Sequence, residues 1–240
     1  MAIGNITPDS FYAGSRLMPK EETVDPSLVV AWAEQALADG ADILDIGACS
    51  TRPGSTPVDP ETEWKRLCPA ITAIRKEFPR AVLSIDTFRP EIARRAMDSF
   101  GPLVINDISG GNEAMFSIVR QYKAPYVWTL RGDLDLPSRT RLTEGMDLIL
   151  DPGFGFIGSP ERDYACMRSM DTLRQYHLPV LVGVSRKSMI YKPLGLTPDT
   201  CLTETQVMHL YALLHGATIL RTHDVAHTAR TRDIYNLLTT

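Results

Sequence analysis

No two cysteines stand close enough in this sequence to mark a metal knuckle or a redox pair: Cys49, Cys68, Cys166 and Cys201 are scattered, with no C-x-x-C. Reduced thiols are expected, rather than a zinc site or a disulfide framework. No apolar run approaches the ~20 residues that span a bilayer. Met1-Ala2-Ile3-Gly4 lacks the basic region and apolar stretch of a signal peptide. Positive charge is not in excess either. The 25 Lys and Arg face 29 Asp and Glu, a net of −4, which leaves no basic field to hold nucleic acid, although a local cluster can still bind a small anion. Linkers, low-complexity tracts and obvious repeats are also missing. These absences imply one soluble, cytoplasmic domain over residues 1–240, without membrane or nucleic-acid partners. Its 44% hydrophobic and 22% charged residues are ordinary for a globular chain long enough to bury a sizeable core.

What is present is a rhythm. Short β-rich runs recur about every 20–40 residues, the spacing of βα units. They are Ala2–Asn5, Ile43–Gly47, Val82–Asp86, Leu103–Asn106, Tyr126–Leu130, Leu148–Asp151, Val180–Val184 and Thr218–Arg221. Most are continuously apolar, as parallel strands covered on both faces are. Helix starts lie between them: Asp25-Pro26, Asp59-Pro60-Glu61, Arg89-Pro90-Glu91, Asn112 and Ser159-Pro160-Glu161, the last opening a helix to Gln175. Leu202–His215 and Ala226–Leu238 are further helical segments. Eight such units in this length predict an α/β fold, a (β/α)8 TIM barrel, for which ~250 residues is typical. A doubly wound open sheet is the alternative, but no G-x-G-x-x-G follows the first strand. Arg131–Asp147, with Gly132, Pro137 and Gly145, is too short for two loops and a full helix. The fifth helix is therefore expected to be a single turn or absent, leaving an exposed and loosened flank between strands five and six.

In such a barrel the site forms at the carboxyl ends of the strands. Those ends deliver Asn5, Asp45, Asp86, Asn106-Asp107, Arg131, Asp151, Ser185-Arg186-Lys187-Ser188 and Arg221-Thr222-His223 to one rim. A lone Asp at a strand end is as often a helix cap as a ligand. Stability alone does not require the whole set to share one end. Acceptors such as Asp86, Asn106 and Asp151 suit the N–C–N edge of a flat heterocycle, and Lys187 adds a donor. Arg52, Arg221 and His223 suit a phosphate, and Asn5 offers a neutral oxygen to a hard cation such as Mg²⁺. Neither G-x-x-x-x-G-K-[ST] nor G-x-S-x-G occurs, so a P-loop and a hydrolase nucleophile elbow are unsupported. The combination points to a heterocycle joined to a phosphate or pyrophosphate.

Seven segments then resemble, in order, one known family. They are Asn5-Ile6-Thr7-Pro8-Asp9-Ser10-Phe11; Asp45-Ile46-Gly47 with Ser50-Thr51-Arg52-Pro53-Gly54; Ser84-Ile85-Asp86-Thr87; Ile105-Asn106-Asp107-Ile108-Ser109-Gly110-Gly111; Asp151-Pro152-Gly153-Phe154-Gly155-Phe156; Ser185-Arg186-Lys187-Ser188; and Arg221-Thr222-His223-Asp224-Val225. The resemblance is to dihydropteroate synthases, the folate-pathway transferases that sulfonamides target. It implies condensation of 6-hydroxymethyl-7,8-dihydropterin pyrophosphate with 4-aminobenzoate, giving 7,8-dihydropteroate and pyrophosphate. By that analogy Asp86, Asn106, Asp151 and Lys187 hold the pterin. Asn5, Arg221 and His223 hold the pyrophosphate, with Mg²⁺ at Asn5. Thr51, Arg52, Pro53, Phe156 and Ser188 shape the aminobenzoate site. Asp86, Lys187, Arg221 and His223 form the implied catalytic set, the loops Thr7–Arg16 and Cys49–Pro57 act as lids, and a homodimer is implied.

The chain departs from the family pattern at Ala13, Cys49, Trp128-Thr129 and Gly158, and in the shortened fifth unit. These departures motivate a second reading, a non-catalytic pterin-binding relative. A third, a pterin methyltransferase working with a corrinoid partner, fits the Ser185–Ser188 segment and the Arg221/His223 pair less well.

Overall fold

A computed structural model of the chain describes residues 1–7, 24–50, 57–134, 136 and 143–240. Its strands are β1 (Ala2–Asn5), β2 (Ile43–Gly47), β3 (Val82–Asp86), β4 (Val104–Asp107), β5 (Tyr126–Thr129), β6 (Leu148–Asp151), β7 (Leu181–Val182) and β8 (Ile219–Leu220). β1 to β6 pair in parallel, each with its successor, and β7 pairs with β8. Two isolated bridges join these sheets into a ring, Ala2 with Thr222 and Leu150 with Val180. Backbone bonds reinforce both seams: Ile3 N donates to the Thr222 carbonyl at 3.0 Å, and Leu150 N to the Pro179 carbonyl at 2.8 Å. The barrel predicted from the rhythm is the observed fold, and the open sheet is excluded.

The helices begin where the caps are. They are α1 (Pro26–Ala38), α2 (Pro60–Glu77), α3 (Pro90–Phe100), α4 (Glu113–Tyr122), α5 (Pro160–Arg168), α6 (Ser188–Tyr191), α7 (Leu202–Leu214) and α8 (Val225–Thr239). Asp25, Asp59, Asn112 and Ser159 each accept a first-turn backbone N–H. Proline in the first turn of α1, α2, α3 and α5 loses no hydrogen bond there. The helix expected to reach Gln175 stops at Arg168. Ser169 turns its hydroxyl back onto the Ala165 carbonyl at 3.2 Å, competing with the helical ladder, and 170–176 continue as a 3-10 helix. α6, a single turn, was not anticipated. No helix among the described residues is long and apolar enough to cross a membrane.

Side chains two positions apart on a strand share a face, and this period places the site. Met1, Val104, Val127, Ile149 and Leu181 pack together, with Ile43 and Ile219 against them, as a small cluster separate from the main core. Two residues farther along the same strands come Ile3, Asn106, Thr129, Asp151, Gly183, Asp45 and Arg221. The apolar cluster is thus the floor of a barrel whose next inward layer is polar. The main core, including fully buried Leu44, Ile46, Leu67, Ile71, Ile85, Ile92 and Ile105, lies between the strands and the surrounding helices.

The fifth unit requires a correction. Its described residues make turns and no helix, and 135 and 137–142 lie outside the description. The flank, however, is not bare: β5 is buried throughout, and Leu148, Ile149 and Leu150 of β6 are buried as well. Leu136 is itself buried, and Leu134 and Ile157 pack on the core. The Tyr176 hydroxyl accepts the Leu136 N–H at 3.1 Å and donates to the Leu134 carbonyl at 3.2 Å. A tyrosine forty residues on therefore pins the crossover where a helix would have packed.

Candidate active site

A cavity of about 360 Å³ opens at the carboxyl ends of the strands. Asn5, Asp86, Asn106, Asp151, Phe156, Lys187, Ser188, Arg221 and His223 all line it, so these sequence-derived candidates converge. Thr51, Arg52 and Pro53 lie outside the described residues, as does most of each segment read as a lid. The register sets one level of the rim. Asn5 pairs with Gly47, Gly47 with Asp86, and Asp86 with Asn106. Gly47 lets the strands carry Asp86 close: a Cβ there would stand 3.3 Å from the Cβ of Asp86, a tight contact.

On the β2–β3–β8 flank the charges are paired. Arg221 donates through Nε to Asp45 Oδ2 at 2.6 Å and through Nη2 to Asp86 Oδ2 at 2.7 Å. Asp45 Oδ2 also accepts from Asn106 Nδ2 at 3.0 Å, which turns the side-chain Oδ1 of Asn106 to the cavity as an acceptor for a ligand. Burial works against the Arg221 charge, but Asp45 and Asp86 outweigh it and raise its pKa. Burial pushes the Asp86 carboxyl up to about 7, with Arg221 opposing and Asp45, Glu63 and Asp107 adding to the rise. Burial also pulls the His223 imidazole down to about 3, helped by Arg221, so it is neutral at physiological pH. Asp45 is placed on the rim by the sequence reading but given no role there. Its signal was present: a carboxylate inside the apolar run Ile43-Leu44-Asp45-Ile46, fully buried, has to have a partner.

On the β6–β7 flank a cation is held by neutral groups. Lys187 Nζ donates to the Phe154 carbonyl at 2.5 Å and stands 4.7 Å from the centre of the Phe156 ring. Burial lowers its pKa to about 8, with Asp151 opposing. Burial raises Asp151, whose Oδ1 accepts Gly153 N at 2.8 Å, while Lys187 opposes the rise. The Asp151–Phe156 loop is anchored from beneath by buried Asp163 of α5, which accepts Gly155 N at 2.9 Å. At Gly155, with φ +82°, a Cβ would meet the Lys187 side chain at 2.9 Å, so glycine clears the lysine's path.

The departures Trp128 and Thr129 serve the scaffold. The Trp128 indole donates to the Gly110 carbonyl, and the Thr129 hydroxyl to the Asp107 carbonyl, both at 2.9 Å. Asp107 itself binds the Tyr126 hydroxyl and Ser109 N. Together these bonds tie the β4 and β5 loops at the rim.

Three comparisons bear on this arrangement. A family model described as pterin binding enzyme matches residues 1–135 and 143–223. A dihydropteroate synthase of Streptococcus pyogenes serotype M6 is 32% identical over 246 residues, spanning 94% of this chain and 90% of that one. The structure of the Xanthomonas albilineans dihydropteroate synthase with 4-aminobenzoic acid superposes with a TM-score of 0.87 at 31% identity, covering 100% of this chain and 92% of that one. A dihydropteroate synthase from Coxiella burnetii, in complex with pteroic acid, gives 0.86 at 30% identity, covering 99% and 91%.

Proposed function

The chain belongs to the pterin-binding enzyme family, among its dihydropteroate synthases, and from that premise we propose how its own residues carry the reaction. A dihydropterin pyrophosphate condenses with 4-aminobenzoate: the aniline nitrogen bonds to the pterin methylene carbon, the carbon–oxygen bond breaks, pyrophosphate leaves with the electron pair, and the aniline proton passes to solvent. The observation that carries the assignment is one cavity in which three heterocycle acceptors, Asp86, Asn106 and Asp151, stand with two cations, Lys187 and Arg221. Asp86 and Asp151 take the N–H groups of the pterin, and that bonding favours their carboxylate forms. As the leaving group departs, the charge of Asp86 opposes the cation developing at the methylene. Arg221 and neutral His223 hold the pyrophosphate, and Lys187 fixes the pterin from the other flank. The aniline is already nucleophilic, so no covalent enzyme intermediate is required. Ser188 and Phe156, with Thr51, Arg52 and Pro53, form the aminobenzoate side.

Mg²⁺ fits a site with one neutral protein oxygen, Asn5, on the cavity wall with Arg221 and His223. Diphosphate and water would supply its remaining ligands. Held there, such an ion would supply positive charge to offset that of the diphosphate. The protein acts as a cytoplasmic homodimer with no nucleic-acid partner, joined through α7 and α8, where Val207, Leu237 and Leu238 are exposed.

The test is a pyrophosphate-release assay with both substrates, with and without Mg²⁺. Release together with dihydropteroate formation is expected. Folded protein that binds pterin by calorimetry yet forms neither product would establish the non-catalytic reading.

A further inference from the structure

The loops that carry Lys187 and His223 are joined by a pair that the reaction does not use. Arg186 has φ +54°, in the left-handed region that residues with a side chain seldom take. That single reversal turns the chain between Ser185 and Lys187, and Lys187 N then donates to the Val184 carbonyl at 3.0 Å. The guanidinium of Arg186 points away from the turn to Asp224, binding it as a fork: Nε to Oδ2 at 2.8 Å and Nη2 to Oδ1 at 2.7 Å. Its third arm, Nη1, donates to the Pro198 carbonyl at 2.6 Å. The side chains of Arg186 and Asp224 are only 7% and 9% exposed. Asp224 is the residue before α8, in the capping position, but its side chain makes no capping bond; its carboxylate is given to Arg186 instead. A second tie runs parallel, from His223 N to Ser185 Oγ at 3.2 Å.

A buried ion pair is a poor device for stability, because an apolar pair of similar volume commonly does as well. A planar two-bond fork does fix distance and angle. We propose that Arg186 and Asp224 are a positioning pair that locks the β7 and β8 loops together, so that Lys187 and Arg221 address a single dihydropterin pyrophosphate. The inference rests on the functional reading above and deepens it. Arg186 borders the cavity, but its guanidinium is committed to Asp224 and the Pro198 carbonyl; each residue acts through its neighbour, Arg186 through Lys187 and Asp224 through His223.

The test uses Arg186→Met, Asp224→Leu, the double variant and Arg186→Lys, all in the full chain. Each apolar single strands one buried charge, and its unfolding midpoint should fall by about 10 °C. The double variant removes both charges and should return to within a few degrees of the parent. Its kcat/KM for dihydropterin pyrophosphate should nevertheless stay about 100-fold low, the cost of misplacement by roughly an ångström. Pterin alcohol binding, which needs no turnover, should weaken in parallel. A double variant that regains both midpoint and kcat/KM overturns the proposal, because the pair would then only stabilise. Should the double variant not refold, Arg186→Lys decides: it keeps the charge but not the fork. A loss of kcat/KM of about tenfold or more with the midpoint held supports positioning, and parental kcat/KM refutes it. A parent that makes no dihydropteroate refutes the functional reading instead, and the pterin alcohol titrations then judge the pair alone.

Discussion

The two flanks of the cavity hold their cations by opposite means. Arg221 is clasped by two carboxylates, Asp45 and Asp86, which raise its pKa. Lys187 is held by a carbonyl and an aromatic face, and burial brings its pKa down to about 8. The arginine grip is therefore charged at every working pH, whereas the lysine grip loses charge in mild base. A strongly anionic pyrophosphate calls for the first kind of grip. A neutral heterocycle needs only a donor, which the second supplies with less desolvated charge to support.

The change expected to damage this arrangement most is Asp86→Asn, which leaves Arg221 with one carboxylate and removes the charge facing the developing cation. Turnover should fall by about 10²–10³-fold while pterin alcohol binding changes much less. Unchanged turnover in steady-state assays would take Asp86 out of the catalytic set. Next in size, Lys187→Ala and Arg221→Ala should separate the flanks, each by about tenfold or more, the typical range for losing a charge-assisted hydrogen bond. The first should weaken pterin alcohol and the second inorganic pyrophosphate, both read by calorimetry. Equal loss of both ligands in both folded variants would erase the distinction.

The pH profile of kcat/KM gives a finer test, since it reports groups of the free enzyme. The Asp86 carboxylate forms as pH rises through about 7, so activity should climb there. The Lys187 ammonium is lost above about 8, so activity should decline beyond it. His223, held near 3, contributes no limb in this range. His223→Gln should therefore lower the profile without moving its acid limb; a displaced limb would reassign it to the histidine. The smallest effect is expected from Tyr176→Phe, which frees the crossover behind the lysine flank. A stability loss of about 1–2 kcal/mol should appear in urea unfolding. Amide exchange should quicken in Leu148–Asp151 and not in Val82–Asp86.

Local chemistry made much of this legible in advance. Asp25, Asp59, Asn112 and Ser159 announce helices because a cap acts within three residues of itself. The polar rim could be read because a barrel's site gathers at the carboxyl ends of its strands, where the apolar runs stop. What escaped notice depends on partners distant in sequence. Asp45 has meaning only beside Arg221, and Tyr176 only beneath Leu134 and Leu136. The end of α5 at Ser169 turns on one hydroxyl choosing between water and a carbonyl, a choice propensity does not settle. Thr51 and Pro53, named from resemblance, and Arg52, named also for its charge, fall outside the described residues.

The two seams of the barrel carry a consequence for the order of assembly. Strands one to five each pair with their successor, so the six-stranded sheet can grow stepwise from contacts between near neighbours along the chain. The last two strands join it at either side through one bridge apiece, and one of those, Ala2 with Thr222, spans nearly the full chain. Such a closure forfeits the most loop entropy and is expected last. Until it happens, Arg221 is kept away from Asp45 and Asp86 on the far side of the open seam, and the site is incomplete. A nascent chain would thus have no affinity for dihydropterin pyrophosphate, and the ligand would bind and stabilise only molecules whose ring has already shut.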